Sequence, residues 1–491
     1  MKEEKKSLVL GFYILFFLSG VSGLVYQSLW LRMFTLVLGN SLHSASLVFA
    51  SFMCGLALGA WLLGRYIRSR KDPLAVYVVL ELGIAVTALT VGKLIPHSSS
   101  FVFYFHSLLS ANPLLFNLFR VTVSFLILLP STALIGGTLP VLTHFLTHSL
   151  EVAGKKIGAL YGWNTVGAVF GCALTGFWLL RVVGMSASLH FAAAINIFVA
   201  VGAVVLRFFT REKTAEAAGE IPRIQAMKSP GSYSIPLGLK RLLIAAAGVT
   251  GAVSLAYEVV WARFLSYILQ NDIYAYYLML STMLLGIGTG SLIYSKWLDR
   301  PRRRLRWLAV FEISLGLVVV LCYLLCAGLY LWPGNAILHI SLQNFFSRIF
   351  PDPFYSLISI RLLYTLVAMF LPTMIMGIVF PLICRLYFTD EKSIGGQTGA
   401  IYALNTAGAM VGALAAGFFL VPKLGVQSSL FIMAGGNLVL GSILFFYERS
   451  RRGTKPGWGL IPYWAAVTLF SMLCFIPGNQ IRGFALKDKK H

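Results

Sequence analysis

Apolar residues in this chain gather into long runs separated by short polar or basic stretches. A run of about 20 apolar residues crosses a bilayer as a helix. The runs predict helices over 8–38, 42–67, 73–95, 113–147, 155–182 and 186–208. A second set is predicted over 238–269, 272–297, 304–333, 355–388, 396–422 and 426–447, and a last helix over 458–477. Several runs exceed one span, which predicts tilts or breaks, for example at Gly20–Gly23, Pro130 and Pro140. One long polar stretch, about 210–239, divides six helices from six.

The two sets repeat each other at their polar positions. Tyr26-Gln27-Ser28-Leu29-Trp30-Leu31-Arg32, running on to Asn40, returns as Tyr257-Glu258-Val259-Val260-Trp261-Ala262-Arg263, running on to Asn271. The offset of 231 (257 against 26) also pairs Gly55 with Gly286, Gly59 with Gly290 and Glu81 with Glu312. An offset of 241 (361 against 120) pairs Arg120 with Arg361, Gly136 with Gly377 and Pro140 with Pro381. It likewise pairs Tyr161 with Tyr402, Asn164 with Asn405, Gly176 with Gly417 and Asn196 with Asn437. Apolar coincidences follow from composition, but duplicated ionisable residues are costly in lipid and persist where they have a partner or a task.

An even number of spans per copy sets both copies the same way up, related by an axis along the membrane normal. That is the arrangement of major-facilitator halves. The expected fold class is therefore all-α integral membrane: two tandem parallel six-helix repeats, major-facilitator-like, plus one additional C-terminal transmembrane helix. The expected divisions are 1–208 for the first repeat, 209–237 for a cytoplasmic linker, 238–450 for the second repeat, and 451–491 for the extra helix and a basic tail.

Composition agrees: 58% of the 491 residues are hydrophobic, 12% are charged and mean hydropathy is +0.80, far from a soluble domain. The net charge of +23 suggests nucleic acid until its placement is read. Lys2, Lys5 and Lys6, Arg65 to Lys71, Lys155 and Lys156, the linker cations, Arg300 to Arg306 and Arg449 to Lys455 all fall on one side if the spans alternate. This is the positive-inside pattern with a cytoplasmic N-terminus, and no nucleic-acid partner is expected. The tail cations Arg482, Lys487, Lys489 and Lys490 fit the thirteenth span less well. Cys322 and Cys326 share a helix face but read as small buried thiols.

Gly23, Tyr26, Gln27 and Trp30 follow helical spacing, as do Ser254, Tyr257, Glu258 and Trp261. Each first helix thus carries a polar–aromatic stripe, read either as the lining of a watered cavity or as an interfacial aromatic belt. By analogy with major-facilitator folds, whose first and fourth helices line a central cavity, Gln27, Glu258, Arg120 and Arg361 are expected to converge. The candidate substrate-binding set is Tyr26, Gln27, Trp30, Arg120, Tyr257, Glu258, Trp261 and Arg361. Arg32, Glu81, Arg263 and Glu312 are candidates for ion pairs or for coupling; Glu258 pairing with an arginine is the structural alternative. Gly167/Gly171 and Gly408/Gly412 are small-xxx-small pairs for close helix packing. Asn164 and Asn405 are placed to bridge helices or to touch a solute.

Ser22-Gly23-x-x-Tyr26-Gln27-x-x-Trp30-x-Arg32, Gly55-Leu56-Ala57-Leu58-Gly59-Ala60, the Glu81 helix, Gly136-Gly137-Thr138-Leu139-Pro140 and Gly158-Ala159-Leu160-Tyr161-x-x-Asn164-Thr165-x-Gly167-Ala168 together resemble the membrane region of bacterial fused major-facilitator/spermidine-synthase proteins. The resemblance covers roughly residues 10–450. It implies a bacterial inner membrane and a link to polyamines. In that family an aminopropyltransferase-like domain follows the membrane region. No segment here offers its strand, Gly-rich turn, helix and acidic residue, so no catalytic residues carry over. No cofactor or metal is expected either. The sequence therefore points to transport or binding of a small charged solute in a lipid bilayer. The alternative is a membrane scaffold for a separately encoded synthase-like enzyme.

Overall fold

The computed structural model describes residues 2–38, 42–109, 112–147, 149–219, 235–269, 273–299, 304–331, 335–452 and 467. Every described element is a helix. The first half comprises α1 (Lys2–Leu38), α2 (Leu42–Ile67), α3 (Pro73–Leu109), α4 (Pro113–Leu146), α5 (Leu150–Leu174) and α6 (Gly184–Gly219). The second comprises α7 (Leu237–Ile268), α8 (Ile273–Ile293), α9 (Arg304–Leu331), a short α10 (Asn335–Ile349), α11 (Pro353–Thr365), α12 (Leu371–Tyr387), α13 (Ile394–Ala415) and α14 (Gly425–Arg452). Ten segments are long and apolar enough to cross a membrane. Two of them, Leu150–Thr210 and Glu391–Arg452, hold 61 and 62 residues, enough for two crossings each. Asn40, Asn271, most of the linker and the helix expected over 458–477 lie outside the described residues.

The expected breaks fall elsewhere. α1 runs unbroken through Gly20–Gly23, and α4 through Pro130 and Pro140. α3 continues past Pro96 to Leu109. The helices instead carry π-helical turns at Thr175–Val183 and Ala416–Leu424, the same place in each half. Each is followed by a glycine at positive φ, Gly184 at 78° and Gly425 at 77°. Only glycine adopts that conformation without steric cost. These two residues turn the chain from α5 into α6 and from α13 into α14.

The duplication read from sequence holds in the packing. α1 packs on α5 as α7 does on α13, α2 on α4 as α8 on α12, and α3 on α6 as α9 on α14. A Cβ at Gly20 would collide with the Asn164 carbonyl, and one at Gly251 with the Asn405 carbonyl. Gly167 faces the Phe17 carbonyl and Gly408 that of Gly248. Such contacts bring helix backbones together, which is how small residues join helices where burial from water is not the driving force. Asn164 Nδ2 donates to the Phe16 carbonyl at 3.0 Å, and Asn405 Nδ2 to the Ala247 carbonyl at 3.1 Å.

The halves meet along α2 and α13 and along α5 and α8. Gly64 approaches Gly395 and Gly399, while Gly158 and Gly162 meet Ser291 and Leu292. Polar ties hold the basic end of this seam. The Lys155 N–H donates to Asp299 Oδ2 at 3.0 Å, Tyr294 donates to Oδ1 at 3.1 Å, and Arg385 lies 3.8 Å from Oδ1. The Leu150 N–H, opening α5, donates to Glu391 of the other half at 3.2 Å. Burial pushes the Asp299 carboxyl above the usual carboxylate range, against the opposing pull of Tyr294, Arg385, Arg304 and the Lys155 N–H.

Candidate functional site

A cavity of about 220 Å³ lies between the halves, lined by α1, α2, α4 and α5 from one and α7, α8 and α13 from the other. On α1 its wall is Phe16, Ser19, Gly20, Gly23, Leu24 and Gln27; on α7 it is Gly251, Ser254, Leu255 and Glu258. These follow i, i+3, i+4, i+7 spacing, one face of each helix.

The candidate stripe of each first helix divides along its length. Gln27 and Glu258 line the cavity. Tyr26 and Trp30 turn the other way, fully buried and stacked with ring centroids 5.3 Å apart. Tyr257 and Trp261 are buried likewise, Trp261 against Phe264 and Tyr323. Successive helical residues point about 100° apart, so a four-residue stripe can straddle two faces. The aromatics belong to the core of each half and the amide and carboxylate to the space between them.

Arg120 and Arg361 do not join the cavity wall. Arg120 lies over the Phe116 ring, 5.5 Å from its centroid, and Arg361 is buried in α11. The part of α4 that lines the cavity is Ile135, Thr138 and Leu139, some 15 residues beyond Arg120. That is about 22 Å along a helix. Arg263 is exposed and lies over Tyr267 at 5.2 Å; Arg32 is exposed. Among the described residues, Glu258 makes no hydrogen bond or ion pair with any of these arginines.

Glu81 and Glu312 are fully buried within their own halves, and neither forms an ion pair among the described residues. Glu81 accepts from Ser19 at 2.8 Å and from Asn196 Nδ2 at 2.6 Å, while Tyr26 donates to Asn196 Oδ1 at 3.0 Å. Among the described residues, Glu312 has no hydrogen-bond partner on either oxygen.

The wall therefore offers one carboxylate (Glu258), three amides (Gln27, Asn164, Asn405), two phenols (Tyr161, Tyr402) and several hydroxyls; no Lys, Arg or His is among its lining residues. In the sequence Tyr161 and Tyr402 stand out only as a repeated pair. Their being polar, aromatic and duplicated was the available signal. A carboxylate at least half out of water, ringed by neutral oxygens, suits an ammonium or another cation.

No known family model matches this sequence, and no curated protein does. Solved structures match it in fold. The crystal structure of a bacterial homologue of the iron transporter ferroportin, in an outward-facing state, has 13% identity and a TM-score of 0.55, the match covering 90% of this chain and 99% of that one. The human organic anion transporter MFSD10 (TETRAN) has 13% identity and a TM-score of 0.50, covering 89% of this chain and 99% of that one. Helix order, paired packing and these likenesses agree: the chain is a multi-pass, all-α membrane protein with a fold of the major-facilitator type.

Proposed function

We propose that this protein moves a small cationic or zwitterionic solute across the membrane, holding its positive group on Glu258 in the cavity between the halves. The observation that carries the reading is the makeup of the wall: both halves contribute, and Glu258 is its one charged group among the described residues. Two parallel repeats around a central site suit alternating access by rocking of one half against the other. With Arg120 and Arg361 away from the wall, the local charge favours a cation over an anion. Polyamines, the class to which the motif resemblance points, are accordingly the first probes. The positive-inside rule assigns the basic end and the N-terminus to the cytoplasm.

Calorimetric binding of spermidine, a zwitterionic amino acid and an organic anion to purified protein tests the reading. Glu258→Gln is expected to weaken a cationic or zwitterionic ligand roughly tenfold or more, because it removes one partner of a desolvated charge pair. Binding of the anion alone, unchanged by Glu258→Gln, would sink it.

A further inference from the structure

The second half carries a copy of the Glu81 network that is not closed. Glu312, Asn437 and Tyr257 correspond to Glu81, Asn196 and Tyr26, and all three are buried. Yet both Glu312 oxygens, both Asn437 side-chain polar atoms and the Tyr257 hydroxyl lack hydrogen-bond partners among the described residues. The residues lie on α9, α14 and α7, and α14 packs on both of the others. Gly316 of α9 packs on Ala434 and Leu438, and Gly441 of α14 packs on Ala309 and Ile313, so Glu312 and Asn437 lie on facing turns. Tyr257 is buried on α7, which packs on α14.

The cause is local. Where Ser19 donates to Glu81, the second half has Thr250. Its hydroxyl donates to the Ala247 carbonyl at 3.1 Å and accepts from Asn405 Nδ2 at 3.2 Å, so it is not given to Glu312.

Glu312 also lines a cavity of about 40 Å³ together with Thr250, Ser254, Tyr161, Met376 and Asn405. That volume admits a water-sized occupant. A carboxylate taken out of water without a partner is costly, and one positive charge neutralises it. The other titratable groups on the surrounding helices are engaged or remote. Arg304 and Arg306 are about two turns away at the start of α9. Arg385 of α12 pairs with Asp299, Glu448 of α14 pairs with Arg452, and Glu258 of α7 faces the central cavity.

We propose that Glu312, Asn437 and Tyr257 form a site for a single positive charge, taken as a small monovalent cation or as a proton on the Glu312 carboxylate. Neutral oxygens around one carboxylate suit a hard monovalent ion better than a divalent one. The 40 Å³ cavity at Glu312 shares Tyr161, Ser254, Ile287 and Asn405 with the wall of the central cavity, while Asn437 and Tyr257 stand behind the carboxylate and are not among its lining residues. α7 joins the site to the central cavity, carrying Tyr257 of one and Glu258 of the other. On the transport reading this is the coupling-ion site; binding of the charge itself does not depend on that reading.

The test uses purified full-length protein without any solute. Melting is measured in sodium against choline, and the protonated-carboxyl infrared band is followed from mildly acid to mildly alkaline pH. A sodium-dependent rise in Tm that Glu312→Gln abolishes and Glu258→Gln retains identifies the ion. A titrating carboxyl band missing from Glu312→Gln, with no sodium effect, identifies the proton. If Glu312→Gln does not fold, Tyr257→Phe is read for a weakened sodium effect or a displaced titration. The proposal is overturned if Glu312→Gln (or Tyr257→Phe in its place) changes neither signal, or if Glu258→Gln alone abolishes them.

Discussion

The Asn196 side-chain amide donates to Glu81 at 2.6 Å, tying α6 to α3 through two buried polar groups. Its counterpart Asn437 makes no such bond to Glu312. Two helix pairs of common sequence pattern are thus held by different means. Asn196→Leu should strand Glu81 Oε2 and the Tyr26 hydroxyl while the Ser19 bond to Oε1 remains, costing about 1–3 kcal/mol. Asn437→Leu breaks no side-chain hydrogen bond among the described residues and should cost distinctly less in sodium-free buffer. Thermal unfolding of both variants in one detergent gives the comparison, and equal losses would contradict it.

Gly23 offers a way to separate binding from folding. It lines the central cavity, and a Cβ added there meets nothing within 4 Å. Gly23→Phe should fill the cavity and abolish solute binding while the melting temperature stays near that of wild type.

Gly251 is the opposite case, because a Cβ there would run into the Asn405 carbonyl. Overpacking of a tight seam costs about 1–3 kcal/mol. Gly251→Leu should therefore lower the melting temperature clearly, whereas Gly436→Leu, where a Cβ meets nothing within 4 Å, should not. A matched pair of melts decides it.

The α2–α13 seam predicts a lock. A Cβ on Gly64 lies 3.0 Å from the Gly399 Cα. In a chain whose native cysteines are replaced, Gly64→Cys with Gly396→Cys, whose Cβ would meet only the Gly64 carbonyl at 3.3 Å, should cross-link on oxidation and stop uptake by reconstituted protein, with recovery on reduction. Full uptake by cross-linked protein would show that this end does not open.

Asp299 gives a pH dependence with a definite sign. Its folded pKa is raised by burial, so its contribution to stability is fully present below the unfolded pKa and is lost as pH rises through the folded one. Wild type should lose stability relative to Asp299→Asn across that window, just above the usual carboxylate range, read as the difference between two melting-temperature profiles.

Much of this was legible in the chain. Hydropathy runs located the membrane helices because a bilayer demands long, continuous apolar segments whatever surrounds them. The doubled Tyr-Gln/Glu-x-x-Trp-x-Arg phrase and the offset glycines marked two equivalent halves, since close backbone approach leaves glycine little substitute. Those positions recur as matched contacts: Gly59 with the Ala133 carbonyl, and Gly290 with that of Met374.

Which way each polar residue points was decided only by tertiary packing. Tyr26 and Gln27 are neighbours in sequence, yet one enters a core and the other a cavity, because the boundary between neighbouring helices runs between them. Arg120 and Gln27 looked convergent by analogy and are apart because the lining part of α4 begins several turns later. Glu81 and Glu312 read alike in the chain. Their difference arises from whether a hydroxyl two helices away is given to the carboxylate or kept by a neighbouring amide, and hydrogen bonds between distant segments exist only once the helices have packed.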